Sequence, residues 1–316
     1  MRRLLLILCL SASTAIAQPF PAKAVRWIVP FPPGGATDII ARIVAQKMTE
    51  SWGQPVVVEN RAGAAGAIGS DAVAKSAPDG YTILMGTTST HAVGPAINPK
   101  LPYNAFTDFT PVTLVATFPN VLVAHPSTAA NLQELIALLR ANPGKYAFGS
   151  SGAGSSTHLT GELFKLMTQT DVNHIPYKGT GPLLNDLMGG QVAFAFDQIT
   201  AVMSPIQAGK MRALGVASRE RNPALPDVPA IAEVLPGFES VAWVGILGPA
   251  RMPPELATRI QLETRRTLQL PDIAQRMKEL GATPVASPPA EFAAFMAQDT
   301  EKWRSLVATA KIKIEQ

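Results

Sequence analysis

Apolar positions along this chain follow two periods in turn. Val25 to Val29 is a short β-branched and aromatic run, which predicts a strand. Ile39, Ile40, Ile43, Val44 and Met48 then recur at helical spacing, which predicts a helix that Thr37 can cap. Between them Pro30, Pro32 and Pro33 forbid both ladder and helix, and Gly34-Gly35 supply a free turn. A strand therefore runs through a rigid, side-chain-poor loop into a helix N-terminus. Such an end offers unpaired N–H groups and the positive pole of a helix dipole, which together attract a carboxylate or phosphate. A tight strand-to-helix connection with no ligand would carry the same pattern.

The alternation continues down the chain. Strands are predicted at 56–59, 81–86, 110–117 and 121–124, with a helix from the Gly-rich run at 63–69 to about residue 75. Residues 95–108 read as irregular and Pro-rich. A second series predicts helices at 132–141, 157–168, 182–188 and 199–208, and strands at 146–149, 172–175, 192–196 and 211–217. An apolar strand at 241–247 follows, and helices at 255–268, 273–280 and 291–310 finish the chain. Two such series imply an α/β fold of two Rossmann-like lobes with mostly parallel sheets. The β-rich stretches near 110–125 and 236–247 read as crossovers, a two-strand hinge. The expected division is residues 18–120 with 240–316 in the first lobe and 121–239 in the second.

The N-terminus changes where this fold is expected to work. Met1-Arg2-Arg3, the apolar stretch Leu4 to Leu10 and Ala15-Ile16-Ala17 read as a secretory signal peptide, residues 1–17, cleaved between Ala17 and Gln18. The apolar stretch is too short to span a bilayer. Lipidation at Cys9 fits poorly, because Leu8 stands where a small residue is wanted. Roughly 300 residues remain, room for two lobes of about 100 to 150 residues each. A soluble, monomeric periplasmic protein is expected. Cys9 is the only cysteine, so the mature chain would hold no disulfide, thiol nucleophile or Cys metal site. Loss of Arg2 and Arg3 takes the formal charge from +4 to +2. The remaining basic residues are scattered and the aromatics few, which argues against nucleic acid as a partner.

Candidate chemistry sits where the predicted strands end, since open parallel sheets bind ligands beyond their carboxyl edges. Those ends are Phe31 to Thr37, Gly63 to Gly69 and Thr87 to His91 in the first lobe, and Ser150 to His158, Tyr177-Lys178-Gly179 and Asp197-Gln198 in the second. All are rich in small and hydroxyl residues, which suits an anion held by backbone dipoles. Small residues also simply permit tight turns. Gly63-x-x-Gly66-x-x-Gly69 lacks the dinucleotide spacing and no Walker loop exists, so no cofactor is expected. The four histidines show no metal-ligand spacing. A secreted serine esterase or amidase is the alternative: Gly149-Ser150-Ser151-Gly152-Ala153 misses a nucleophile elbow by its last position, and His158 could pair with Ser150. Asp197 could cap the helix after it, or orient donors at a ligand.

The combined motifs resemble one family along the mature chain from about residue 25. They are Val29-Pro30-Phe31-Pro32-Pro33-Gly34-Gly35 with Asp38 and Ala41-Arg42, Val58-Glu59-Asn60-Arg61-x-Gly63-Ala64-x-Gly66, and Pro78-Asp79-Gly80-Tyr81-Thr82. Gly149-Ser150-Ser151-Gly152-x-Gly154-Ser155 with His158-Leu159, Pro176-Tyr177-Lys178-Gly179, and Gly189-Gly190-Gln191-Val192 with Asp197 continue the match. These are similar to the Bug-type solute receptors of tripartite tricarboxylate transporters. The resemblance implies a type II periplasmic binding protein-like fold whose lobes close on a small carboxylate: citrate, an acidic amino acid or an aromatic carboxylate. It also implies delivery to membrane transporter subunits and no catalysis. The cleft residues it implies are Phe31, Gly34, Gly35, Ala36, Ala67, Thr87, Ser151, Ser155, Thr157 and Asp197, and the Thr87 to His91 loop adds His91. The ligand itself does not transfer, because selecting positions vary within the family.

Overall fold

One strand belongs to both halves of the molecule. In the computed structural model, which describes residues 20–310, strand β4 (Phe109–Ala124) runs 16 residues without a break. That is about 50 Å, enough to cross both lobes. The predicted signal peptide and its cleavage site lie outside the described residues.

In the first lobe β1 (Val25–Val29) lies between β2 (Val56–Asn60) and β3 (Thr82–Thr87), all parallel. Strand β9 (Val241–Pro249) then runs antiparallel between β3 and β4. A two-residue strand, β10 (Thr283–Pro284), pairs with β4 beyond it. In the second lobe β5 (Ala147–Ser150) lies between β6 (Asn173–Pro176) and β7 (Phe194–Gln198), again parallel, and β7 and β8 (Arg212–Val216) both pair antiparallel with the far end of β4. The parallel pairings thus form a three-strand core in each lobe, and the crossing strands make both sheets mixed. Helices α1 (Ala36–Trp52), α2 (Ala67–Ala74) and α3 (Gly94–Ile97) serve the first series. Helices α4 (Leu132–Ala141), α5 (Ser156–Thr168), α6 (Thr180–Met188) and α7 (Ile199–Gln207) serve the second. Helices α8 (Pro254–Leu268), α9 (Pro271–Glu279) and α10 (Pro289–Ala310) return to the first lobe, where Trp243 packs edge-on against Phe292 and Phe295 of α10.

Local sequence accounts for these elements. In α4, Leu132, Leu135, Ile136 and Leu139 fall on one face and are buried. Asn131 accepts from the Glu134 N–H, and the Glu134 carboxylate accepts from the Ala130 N–H, a reciprocal cap that fixes the start. Along β4, Val121 and Val123 enter one core and Leu122 and Ala124 another, as a period of two requires. The prediction of separate strands at 110–117 and 121–124 is corrected. The ladder to β9 shifts after Pro111 and ends at Pro119, so the two missing N–H groups fall at a bulge and at the hand-over between lobes. The stretch read as irregular, 95–108, opens inside α3, which continues a helical turn at Ser89–Val93.

Both crossings meet at a buried polar knot. The Asn120 N–H donates to the Ser240 carbonyl (3.1 Å), and the Asn120 carbonyl accepts from the Ala217 N–H (2.8 Å). The Asn120 amide also donates to Thr160 Oγ1 (2.8 Å) and Ser240 Oγ (2.9 Å), which lie 2.6 Å apart. Asn120 Oδ1 is buried without a protein partner, but both amide donations and both backbone groups are met, and these bonds tie the two crossings in one register.

Candidate functional site

The loop from β1 to α1 is rigid for reasons beyond its prolines. Gly34 sits at φ +87°, a conformation suited to glycine, and its N–H donates to Asp38 Oδ2 (3.0 Å). Asp38 also accepts from Arg42 Nε (3.0 Å) and Asn60 Nδ2 (2.9 Å). Burial pushes the Asp38 carboxyl up, but these donors outweigh it and hold it below the usual carboxylate range. Gly35, not Thr37, is the N-cap of α1. Thr37 falls inside the first turn and lines the space between the lobes.

The second lobe answers with three helix starts. Ser155 caps α5 by accepting from the His158 N–H, and it donates to the Gly152 carbonyl (2.7 Å). Thr157 Oγ1 accepts from the Ser151 N–H (3.0 Å) and touches the Ser151 and Ser155 hydroxyls, so it folds the loop from behind. Gly179 precedes α6 at φ +105°, and a Cβ there would stand 2.7 Å from Pro32 Cγ of the first lobe. Gln198 is the N-cap of α7, which corrects Asp197 as its cap. Asp197 Oδ1 instead accepts from the Gln198 N–H (2.7 Å) and the Thr180 hydroxyl (3.3 Å), and Oδ2 is buried without a protein partner. Burial pushes the Asp197 pKa up to about 7, against those two donors.

These loops meet in a narrow cavity of about 30 Å³. Phe31, Gly35, Ala36, Thr87 and Ser151 of the sequence-predicted set line it. Thr88, Ser89, Ser156 and Gln198 also line it; they lie in the strand-end stretches named from the sequence but were not singled out there. Sequence reasoning missed Thr180, one residue past the Tyr177-Lys178-Gly179 motif, and Phe118 and Trp243 of the crossing strands. The lobes touch across the cavity, where the Ser156 N–H donates to Ser89 Oγ (3.1 Å). The N-termini of α1, α5, α6 and α7 all point into it, at Ala36, Ser156, Thr180 and Gln198. No lining residue is Lys, Arg, His, Asp or Glu. Each helix end can carry up to roughly half an elementary charge. Part of it is already met in α5 and α7, where the Ser156 N–H donates to Ser89 and the Gln198 N–H to Asp197.

The other predicted residues lie elsewhere. Gly34 shapes the loop and does not line the cavity. Ser155, Thr157 and Asp197 are buried one step behind it: Thr157 is bonded to Ser151 and Ser155, and Asp197 to Thr180. Ala67 lines a neighbouring space. His91 is corrected outright: it is fully buried between Tyr103 and Phe109, bonded to Thr90 Oγ1 (2.8 Å), and burial pushes its pKa down to about 3. Ser150 does not pair with His158. Its Oγ lies 2.7 Å from His174 Nε2, away from the cavity, while His158 Nδ1 accepts from the Gly154 N–H (3.1 Å) and its ring stacks on His174 at 3.8 Å. The triad geometry expected of a hydrolase is not assembled there.

The tripartite tricarboxylate transporter family receptor pattern matches residues 40–312. The chain belongs to this receptor family. BugT of Bordetella pertussis is 40% identical over 324 residues, covering 100% of this chain and 99% of that protein. A Rhodopseudomonas palustris protein solved with adipate is 34% identical with a TM-score of 0.91, covering 93% of this chain and 99% of its own. MatC of the same organism, solved with bound malate, is 33% identical with a TM-score of 0.86, covering 91% and 100%. The receptor fold therefore extends over nearly the whole chain, and the helix ends described above belong to it.

Proposed function

We propose that this receptor captures a small carboxylate between its lobes in the periplasm, leaves it chemically unchanged and hands it to the membrane subunits of a tripartite transporter. The observation that carries this reading is the convergence of four helix N-termini on one cavity without a basic side chain. Fixed dipoles hold an anion with little reorganisation and release it without breaking a buried ion pair. Related receptors solved with adipate and malate support the ligand class. One chain supplies both walls of the cavity, which supports action as a monomer. Division of the lobes near residues 120 and 240 is supported by the polar knot of Asn120 and Ser240.

The test is titration calorimetry with carboxylates, neutral sugars and cationic peptides, followed by recovery of the ligand. Micromolar affinity, about −8 kcal/mol, is expected for a carboxylate recovered intact. Binding confined to sugars or peptides would refute the ligand class. A serine-directed probe that labels the native protein but not Ser150→Ala would favour the hydrolase instead.

A further inference from the structure

The cavity beneath the four helix ends takes about two or three water-sized groups, room for a carboxylate head. The rest of any ligand must lie beside it. Phe31, Pro32, Ser151 and Gly179 line both this cavity and a wider one of about 530 Å³. Ala64, Ala65 and Ala153 line both that space and a third of about 330 Å³, which reaches Ile97, Leu101 and Tyr103. Together they form a trough leading away from the anion cradle.

Its walls are mostly carbon. The Gly66 position lets Phe31 lie against the turn, since a Cβ there would stand 3.1 Å from Phe31 Cζ. Tyr103 lines the trough with its hydroxyl already committed to the Thr90 carbonyl (2.8 Å). Helix α2 begins at Ala67, but the Gly66 and Ala67 N–H groups donate to the Gly63 and Ala64 carbonyls of the preceding turn. Lys178, exposed at one edge, is the only charged residue lining any of the three spaces. A second carboxylate in this trough would face mostly apolar wall and reach a cation only at the Lys178 edge, whereas an apolar body would cover that wall.

We infer that the trough is a subsite for an uncharged apolar ligand body, and that the receptor selects monocarboxylates carrying such a body over di- and tricarboxylates. The inference rests on the carboxylate reading above. It gives a function to the small residues at 63–67, which the anion cradle does not use.

Hexanoate and adipate have the same length and differ only in the terminal carboxylate. Calorimetry at pH 7 on the chain, unfolded and refolded to remove carried-over ligand, should show hexanoate binding at least tenfold more tightly than adipate or citrate. Ala153 is exposed, so Ala153→Leu should fold; filling the trough, it should weaken hexanoate at least tenfold. Adipate or citrate binding as tightly as hexanoate, or an Ala153→Leu variant with unchanged hexanoate affinity, would overturn the inference while leaving the carboxylate reading in place. Failure of all three ligands to bind would overturn both.

Discussion

Asp197 should make anion binding depend on pH. When ionised it accepts the Thr180 hydroxyl proton, so Thr180 cannot donate that proton into the cavity it lines. When protonated it can donate to Thr180 Oγ1 and free the hydroxyl for the anion. Burial pushes its pKa up to about 7, so the change falls in a physiological range. If the protonated form alone binds well, affinity should fall about tenfold between pH 6 and pH 8. The ligand carboxylate is ionised throughout that range. His91, His158 and His174 are pushed down to about 3, 4 and 3 by burial, so they do not titrate there. Asp197→Asn presents an N–H to Thr180 at every pH, so it should bind as the wild type does at pH 6 and lose the slope. Stability gives a second readout. A carboxyl whose folded pKa is raised from 3.8 contributes fully below that value and loses its contribution as pH rises through about 7. At about 1.4 kcal/mol per unit, Asp197→Asn should gain at most about 4 kcal/mol over the wild type at pH 8.5 and little at pH 4. Calorimetry and melting of both proteins across pH 4 to 8.5 provide the assay. A flat wild-type affinity from pH 6 to 8, or the same slope in both proteins, would refute the relay.

Gly179→Ala should weaken ligand at least tenfold in calorimetry, because its Cβ would meet Pro32 as the lobes close and its φ is +105°. Gly181→Ala, with open space around its Cβ, is the control; equal affinities for the two variants would dismiss the closure argument. Asn120→Ala removes two buried donations at the crossover and should cost about 1–3 kcal/mol in denaturant unfolding. A loss below about 0.5 kcal/mol would mean that the knot does not hold the lobes.

The elements were legible because period and punctuation agree with the fold. Leu132, Leu135, Ile136 and Leu139 announce α4, and Asn142-Pro143-Gly144 ends it. The crossing strand was harder. Pro119 looks like a breaker until a partner change is known to occur beside it, and partner changes are set by tertiary contacts. His91 was misplaced for a related reason. The chain after β3 turns helical at Ser89, so a residue two positions on faces about half a turn round. Thr88 and Ser89 reach the cavity while His91 enters the core.

The site itself exposes a deeper limit. A cradle built from a basic side chain leaves a residue type in the sequence to find. A cradle built from helix ends leaves none, because every residue except proline carries the same N–H group. Gly35, Ser155 and Gly179 show where helices begin, but not that α1, α5, α6 and α7 begin at one place. That follows from the parallel order of β1, β5, β6 and β7, whose carboxyl edges face one another across the strand shared by both lobes. Selectivity in such a site cannot reside in the cradle, which offers any carboxylate the same dipoles. It must reside in what surrounds the remainder of the ligand. Ala64, Ala65 and Ala153 are therefore better places to alter ligand preference than Gly35 or Thr180.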